Sequence, residues 1–252
     1  MSSRIALIVP FYNEGKRLNK KALKNLAQEG KEFMNCYLID DGSTDNFTID
    51  LINFIHKEGF QNVTVIQSVT NRGKAEAIRL GIQSIEIKKY SHFGFTDADF
   101  SANSSEILRL ARITLANRLT FVFGSRKQNA RNSIETSKFR LIQGTIFNLF
   151  VSSILGNKLV DSQCGLKFFP IDCVDTENVF KLPFRNQWLF DLEVIMRISK
   201  IERMNILEVT LNEWSHKRNS KTSILHLPGI VFSVIWLRIK YGKSNNVLVT
   251  RS

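Results

Sequence analysis

The sequence predicts an α/β fold built on a mostly parallel sheet flanked by helices. Three observations carry this reading. Short apolar, β-branched or aromatic runs recur along the first half of the chain, helix-like stretches separate them, and polar clusters close three of the runs. Strands that alternate with helices form parallel, doubly wound sheets, and such sheets bind ligands beyond the carboxyl ends of their strands.

The elements follow in chain order. IALIVPF (5–11) reads as a core strand and ends on Tyr12-Asn13-Glu14. A helix-like stretch over 15–29 leads to CYLID (36–40), closed by Asp40-Asp41-Gly42-Ser43, where Gly and Ser permit a tight turn. A second helix is expected over roughly 46–58, with Asp45 as its N-cap. VTVIQ (63–67) is the third strand and 74–89 the third helix. HFGFTDAD (92–99), closed by Asp97-Ala98-Asp99, is the fourth strand, 103–116 a helix, and LTFVFGS (119–125) the fifth strand.

After about residue 126 the rhythm changes. LIQGTIFNLFVSSILG (141–156) is apolar and helix-like, GLKFFP (165–170) and ILEVTLNEW (206–214) read as strands, and 188–200 as a helix. LHLPGIVFSVIWLRIKYGK (225–243) joins an apolar run to Trp236, Arg238, Lys240, Tyr241 and Lys243. Neither apolar stretch reaches the ~20 residues that span a bilayer. A buried core helix and a helix lying in a membrane interface both fit 225–243.

Composition sets the bounds. At 252 residues and 43% apolar content the chain can build one large α/β domain or two small ones, without linker-like segments or internal repeats. Three cysteines, Cys36, Cys164 and Cys173, cannot all pair within the chain, which suits a reduced, cytoplasmic compartment. The N-terminus MSSRIALIVPF lacks the long apolar region of a signal peptide. The net charge is +12, and residues 197–252 hold ten Lys/Arg against three Glu. Such an excess suits an anionic partner, whether nucleic acid, membrane surface or phosphorylated substrate, and composition alone fits a merely solvated surface equally well. A nucleic-acid binder would leave the strand-end carboxylates unexplained, because without metal they repel phosphates.

Asp97 and Asp99 lie one residue apart after an apolar run. On a strand, i and i+2 side chains point the same way, and two like charges held there repel each other. Folding gives no reason to place them so; a divalent cation, Mg²⁺ or Mn²⁺, does. The alternative is a strand-end turn that caps the next helix.

Seven blocks occur in a fixed order: VPFYNEGKRL (9–18), LIDDGSTD (38–45), NRGKAEAI (71–78), FTDADF (95–100), FGSR (123–126), DSQCGLKFF (161–169) and QWLFDLEV (187–194). Over roughly residues 4–221 the chain thereby resembles the family 2 glycosyltransferases of the GT-A fold. The branch it resembles most makes dolichyl- or polyprenyl-phosphate hexoses, the dolichyl-phosphate β-glucosyltransferases in particular. The resemblance implies a metal-dependent, inverting transfer of a hexose from a UDP- or GDP-sugar to a polyprenyl or dolichyl phosphate. It implies a nucleotide-sugar-binding half over 1–126 and an acceptor-side half of the same domain over 127–224. Residues 225–252 would then be a basic, partly apolar helix and tail, peripheral at the cytoplasmic membrane face.

Site residues carry over by motif. Asp99 is the more direct metal ligand, with Asp97 nearer the ribose or the metal's waters and Ala98 between them in the donor site. Pro10, Tyr12, Asn13 and Glu14 form one wall, Tyr12 packing on the base. Asp40 and Asp41 can accept from the N3–H of uracil or the N1–H of guanine, so the base stays open. Asn71-Arg72-Gly73-Lys74 precedes a helix whose free N–H groups favour phosphate, and Lys74 adds charge; a solvated loop is the alternative. Arg126 is a candidate clamp for donor or acceptor phosphate, and Lys221, after Ser220, a further phosphate contact. Asp191, in the pattern Trp188-x-Phe190-Asp191, either orients sugar or acceptor or is a buried structural acid.

A metal bridging the donor's two phosphates stabilises the departing nucleotide diphosphate. An acceptor phosphate has a second pKa near ~6 and is already an anionic nucleophile at neutral pH, so it needs no general base. A sugar-hydroxyl acceptor needs one, and Asp191 is then the candidate. Cys164 reads as a small buried apolar residue rather than a nucleophile. His216 is either a third metal ligand or a surface residue. The sequence departs from the family twice: Ser101 stands where relatives often carry Gln, and the transmembrane anchors of many relatives have no counterpart. Two alternative functions stay open: transfer to a sugar hydroxyl in glycoconjugate or surface-polysaccharide synthesis, and non-catalytic nucleotide-sugar binding.

Overall fold

In the computed structural model, residues 4–15, 17–127, 133–135, 161–175, 179–181, 183–185, 189–201, 204–215, 227–242 and 249–251 are described. Strand β1 (Ile5–Phe11) is buried along its whole length. It pairs in parallel with β2 (Met34–Asp40) on one side and β4 (His92–Phe95) on the other. Beyond β2 lies β3 (Val63–Gln67), also parallel. Beyond β4 the sheet continues through β7 (Lys167–Pro170), β5 (Thr120–Ser125), β8 (Asn205–Thr210) and β10 (Val249–Arg251). The order of the eight strands is β10-β8-β5-β7-β4-β1-β2-β3. The sheet is mostly parallel and flanked by helices, as the alternating pattern predicts. Strand β7 alone runs antiparallel, to both β4 and β5. Its approach demands glycine at position 94, where a Cβ would lie 2.3 Å from the Phe168 ring.

Strand alternation divides β1 between two cores. Leu7 and Val9 pack toward α1 (Lys20–Glu29), α2 (Phe47–Glu58) and α4 (Ser104–Leu115). Ala6 and Ile8 face the other side, with α3 (Lys74–Ser84) and α6 (Phe190–Ile198). Phe93, Phe169 and Phe121 stack there, centroids 4.8 and 4.7 Å apart, and join β4, β7 and β5 through their side chains. A short helix α5 (Asp172–Asp175) follows β7. Helix α7 (Leu227–Tyr241) packs on α6 through Leu192, Met196, Val234 and Leu237.

Several elements differ from their expected bounds. The first helix starts at Lys20, because Arg17 and Leu18 donate their N–H groups to Glu14 O and Asn19 caps the helix by accepting from Ala22 N at 3.1 Å. Asp45 is not the cap of α2; Asn46 holds that position without a side-chain cap bond, and Asp45 N donates to Asn13 Oδ1. The third helix ends at Ser84, and a 3₁₀ turn (Ile87–Lys89) completes the segment. The strand expected at 206–214 breaks after Thr210, and β9 (Glu213–Ser215) joins β6 (Ser133–Glu135) in a separate two-stranded sheet. The apolar stretch 141–156 lies outside the described residues.

Candidate active site

The carboxyl ends of β1, β2 and β4 converge because the three strands run parallel side by side. Strand β4 stops at Phe95, and residues 97–100 turn back, Phe100 donating to Asp97 O at 3.0 Å with a positive φ of 49°. Asp97 and Asp99 thus sit on a turn rather than on the strand, and strand alternation does not set their directions. Each has its own cation instead. Lys74 Nζ lies 2.8 Å from Asp97 Oδ1, and Arg17 Nη2 lies 3.2 Å from Asp99 Oδ2. The other Asp99 oxygen accepts from Ser101 N and Ser101 Oγ at 3.0 and 2.8 Å. Ser101, where a third ligand was the family expectation, here orients Asp99. Ala98 between them is buried.

Lys74 reaches a second carboxylate, Asp191 Oδ2, at 3.8 Å. Asp191 Oδ1 in turn lies 2.7 Å from the ammonium of Lys167, which is fully buried and also donates to Cys164 O. Two lysines and two aspartates from four different segments so form one chain of alternating charge. Burial works against the Lys74 ammonium, but Asp191 and Asp97 outweigh it and raise its pKa above the ordinary lysine value. Partial burial likewise opposes the Asp97 carboxylate, and Lys74 outweighs it, holding the pKa below the usual range. Burial pushes the Cys164 thiol up to about 11, so it is no thiolate nucleophile at neutral pH.

Beside this turn lie the loops after β1 and β2. Asn13, at φ 50°, links them: its N–H donates to Ser43 Oγ at 2.9 Å and its Oδ1 accepts from Thr44 N at 2.8 Å. Tyr12 is 37% exposed beside this loop. Glu14 Oε1 holds Arg17 Nη1 at 3.1 Å, and Pro10 is buried within β1. Asp40 is buried and spends its oxygens on Ser43 N at 2.8 Å and Thr48 Oγ1 at 2.6 Å. Asp41 accepts from the N–H groups of Arg72 and Gly73 at 2.9 and 2.6 Å. Those two loop donors, expected to await a phosphate, are therefore already engaged, and Asp41 positions the loop that delivers Lys74.

Arg126 is also committed. Its Nε and Nη2 grip Asp161 at 2.6 and 2.7 Å, and its backbone N–H adds a third bond to the same carboxylate. Burial opposes ionisation of Asp161, and the Arg126 guanidinium outweighs it. Asp161 N donates to Glu208 Oε1, and the guanidinium lies over the Trp214 ring at 5.3 Å. Lys221, Ser220, His216 and Trp188 lie outside the described residues. Arg17, Asp161, Gly165 and Lys167 lie in the blocks 9–18 and 161–169 singled out from the sequence, which gave none of them a role of its own. The one readable signal was Lys167, a lone cation inside the apolar run LKFF, since lysine is almost never fully buried unless paired.

The donor set suits a hard divalent cation held by one or two carboxylates and completed by substrate phosphates. Gly165 forms the cradle: a Cβ there would stand 2.0 Å from Asp97 Oδ2, so only glycine leaves the carboxylate room. No group of three or more His, Cys, Asp or Glu that could hold a metal alone occurs among the described residues.

Known proteins resemble this chain in sequence and in fold. The chain is 29% identical over 233 residues to the human dolichyl-phosphate β-glucosyltransferase, covering 87% of this chain and 70% of that one. It is 26% identical over 241 residues to the Saccharomyces cerevisiae enzyme of the same name, covering 87% and 69%. Among solved structures, glucosyl-3-phosphoglycerate synthase from Mycobacterium tuberculosis, in complex with Mn²⁺, uridine diphosphate and phosphoglyceric acid, superposes with a TM-score of 0.68 at 14% identity. That match covers 95% of this chain and 78% of the other. Mannosyl-3-phosphoglycerate synthase from Rubrobacter xylanophilus gives 0.61 at 14% identity, covering 94% and 73%, so the fold is shared. The family model for glycosyl transferase family 2 matches residues 6–172, a span that holds the DxD turn and both flanking loops, and the chain belongs to that family.

Proposed function

We propose that this glycosyltransferase moves a hexose from a nucleotide diphosphate sugar, a UDP- or GDP-sugar, to a polyprenyl or dolichyl phosphate with inversion. The carrying observation is the chain Asp97–Lys74–Asp191–Lys167 at the carboxyl ends of the strands, joined by 2.8, 3.8 and 2.7 Å contacts. The names of the similar dolichyl-phosphate β-glucosyltransferases and the Mn²⁺ and uridine diphosphate in the structural neighbour support it.

Residues 1–126 would hold the donor, the base between Tyr12 and the turn after Asp40 and Asp41. The pyrophosphate would lie over the Asp97–Asp99 turn, where Mg²⁺ or Mn²⁺, when bound, neutralises charge on the leaving diphosphate. Lys74 and Arg17, resting on Asp97 and Asp99, stand beside that charge and can turn to it. An acceptor phosphate oxygen attacks the anomeric carbon from the opposite face. The bond to the diphosphate breaks and its electron pair stays on the β-phosphate. No proton need be taken from the acceptor. Asp191, held by Lys167, keeps Lys74 in register. Residues 127–224 would supply the acceptor side, with Lys221 as a phosphate contact.

The acceptor lipid lies in a membrane, and α7 offers a surface for docking to an anionic one. No described helix is long and apolar enough to cross a membrane. Phe232, Ile235 and Ile239 are nevertheless exposed along one face, beside Arg185, Arg238 and Lys240.

The test is a panel of UDP- and GDP-hexoses incubated with polyprenyl phosphate and Mg²⁺ or Mn²⁺, with product mass as readout. The expected product is one hexosyl polyprenyl phosphate, lost on chelation by EDTA. Equal transfer to the dephosphorylated alcohol would instead indicate a hydroxyl acceptor, with Asp191 as base.

A further inference from the structure

The opposite rim of the sheet, at the amino-terminal ends of β1, β2 and β4, carries a second polar cluster. A cavity of about 490 Å³ opens there, lined among others by Arg4, Lys31, Asn35, Phe60, Lys89 and Tyr90. At a rise of ~3.3 Å per residue, the seven residues of β1 separate it from the candidate active site by about 23 Å. The two sites are distinct.

Among the lining residues, the buried side-chain atom left without a partner is a donor, on Arg4. Arg4 Nη2 donates to Lys31 O at 3.1 Å and to Asn35 Oδ1 at 2.9 Å. Arg4 nonetheless makes no ion pair among the described residues, and its Nε is buried without a hydrogen-bond partner. Asn35 Nδ2 donates to Tyr90 Oη at 2.9 Å, and the hydroxyls of Tyr37 and Tyr90 lie 2.5 Å apart. Only one phenolic hydrogen fits between those two oxygens. When Tyr37 supplies it, the Tyr90 hydrogen turns toward the cavity that Tyr90 lines. Burial, then the bond to Tyr37, raises the Tyr90 pKa, so this hydroxyl keeps its proton at neutral pH. The carboxylate in the wall, Glu58, is taken by Lys24 Nζ at 2.6 Å. Lys31 and Lys89 add two exposed cations at the edge, each near a surface glutamate.

A cation would be repelled here, and a neutral ligand would leave the Arg4 guanidinium without a counter-charge. An anion supplies the counter-charge that the Arg4 guanidinium lacks and can accept from Tyr90 Oη. The volume exceeds that of a bare phosphate and falls in the range of small-molecule sites. Phe60 supplies an apolar wall for the rest of such a ligand. We propose that this cavity is a second anion site that takes a soluble phosphomonoester of metabolite size, its phosphate on Arg4 and Tyr90.

The experiment uses the full chain with ¹⁵N-labelled arginine, saturated with uridine diphosphate and Mg²⁺ so that the donor site is filled. Inorganic phosphate, glucose 1-phosphate, glucose and phosphatidate vesicles are titrated separately, and the Arg4 Nε–H resonance is followed. The expected result is a saturable shift with glucose 1-phosphate, a weaker one with inorganic phosphate and none with glucose. Arg4→Met should raise the Kd for glucose 1-phosphate at least tenfold. Tyr90→Phe, which keeps the ring and its packing, should raise it at least threefold. No shift at Arg4, an unchanged Kd in both variants, or a response to the vesicles alone would overturn the proposal.

Discussion

Gly165 shows how a residue without a side chain can shape the candidate active site. Any Cβ at that position would press to 2.0 Å from Asp97 Oδ2, so Gly165→Ala must displace the carboxylate or the loop that carries it. Transfer should fall at least 100-fold, since a misplacement of about 1 Å can cost that much. The melting temperature should move by only a few degrees, because the crowded atoms end an exposed side chain. Wild-type kcat/KM in Gly165→Ala would remove Asp97 from the reaction. Lys74→Met gives a companion expectation. Exposed to half-buried ion pairs contribute ~0.2–1 kcal/mol, so freeing Asp97 from Lys74 should tighten Mn²⁺ binding by about 1.4- to fivefold without nucleotide, as read by electron paramagnetic resonance. Transfer should fall in the same variant, because the ammonium is lost from the diphosphate. The acidic half of this site was legible in the sequence, because Asp97, Asp99, Asp40 and Asp41 stand in short motifs at strand ends. Their partners were not. Arg17 reaches Asp99 across 82 residues, Gly165 meets Asp97 across 68 and Lys167 reaches Asp191 across 24, and only the folded topology sets such pairings.

At the scale of elements, the five strands of the first half were legible because apolar runs of this length have few other uses, and their bounds match within two residues except that β4 stops at Phe95 rather than running to Asp99. The direction of β7 was not, because antiparallel insertion depends on where a long connection returns the chain. That strand carries a fully buried charge. Lys167 is fully buried within it, with Asp191 of α6 as its partner. Removing one partner of a buried pair leaves the other charge uncompensated, at ~3–5 kcal/mol. Lys167→Met should therefore lower stability by about that amount in urea unfolding, and Lys167→Met with Asp191→Leu should recover most of it without recovering transfer. Strand β4 sets a pH dependence. His92 is buried at its first residue, with Ser91 Oγ 3.0 Å from Nδ1. Burial lowers its pKa below the ordinary value of 6.5; the backbone of Arg118 and Asn117 and the charge of Asp172 oppose this without overcoming it, and the Arg118 charge adds to the lowering. The unfolded chain then binds the proton more readily than the folded one, so stability holds above pH 6.5 and declines as the pH falls below it. Thermal melts between pH 7.5 and 5 should show this slope, and His92→Gln should flatten it even if it lowers the plateau.

The whole molecule brings the site and the basic end of the chain together through α7. On a helix, residues 234, 237 and 241 lie about 200° from residues 232, 235 and 239. The first set packs on α6, with Val234 and Leu237 buried; in the second, Phe232, Ile235 and Ile239 are 61%, 45% and 79% exposed. The sequence left core and membrane-interface readings of this segment open; one face is core, and the other is exposed and apolar. Cations line the apolar edge: Arg185 lies over Trp236 at 5.3 Å, Lys240 over the same ring at 4.5 Å, and Arg238 is in the last turn. Each cation near an anionic leaflet contributes ~1 kcal/mol, screened by salt, and a buried apolar side chain of this size about 1.5–3 kcal/mol at full insertion. Three side chains and three cations together reach affinities that sedimentation can read, and salt should weaken them without abolishing them. Binding to vesicles with anionic lipid is therefore expected at low salt, reduced severalfold at 0.5 M salt by screening that shortens the Debye length toward ~4 Å. Phe232→Ser with Ile239→Ser should remove the salt-resistant part, and Arg238→Gln with Lys240→Gln the salt-sensitive part. Transfer to short, water-soluble polyprenyl phosphates should survive both pairs of substitutions, while transfer to vesicle-embedded acceptor falls. If the wild-type chain stays in the supernatant with anionic vesicles at low salt, the exposed face of α7 serves another partner and the acceptor must reach the site by a different route.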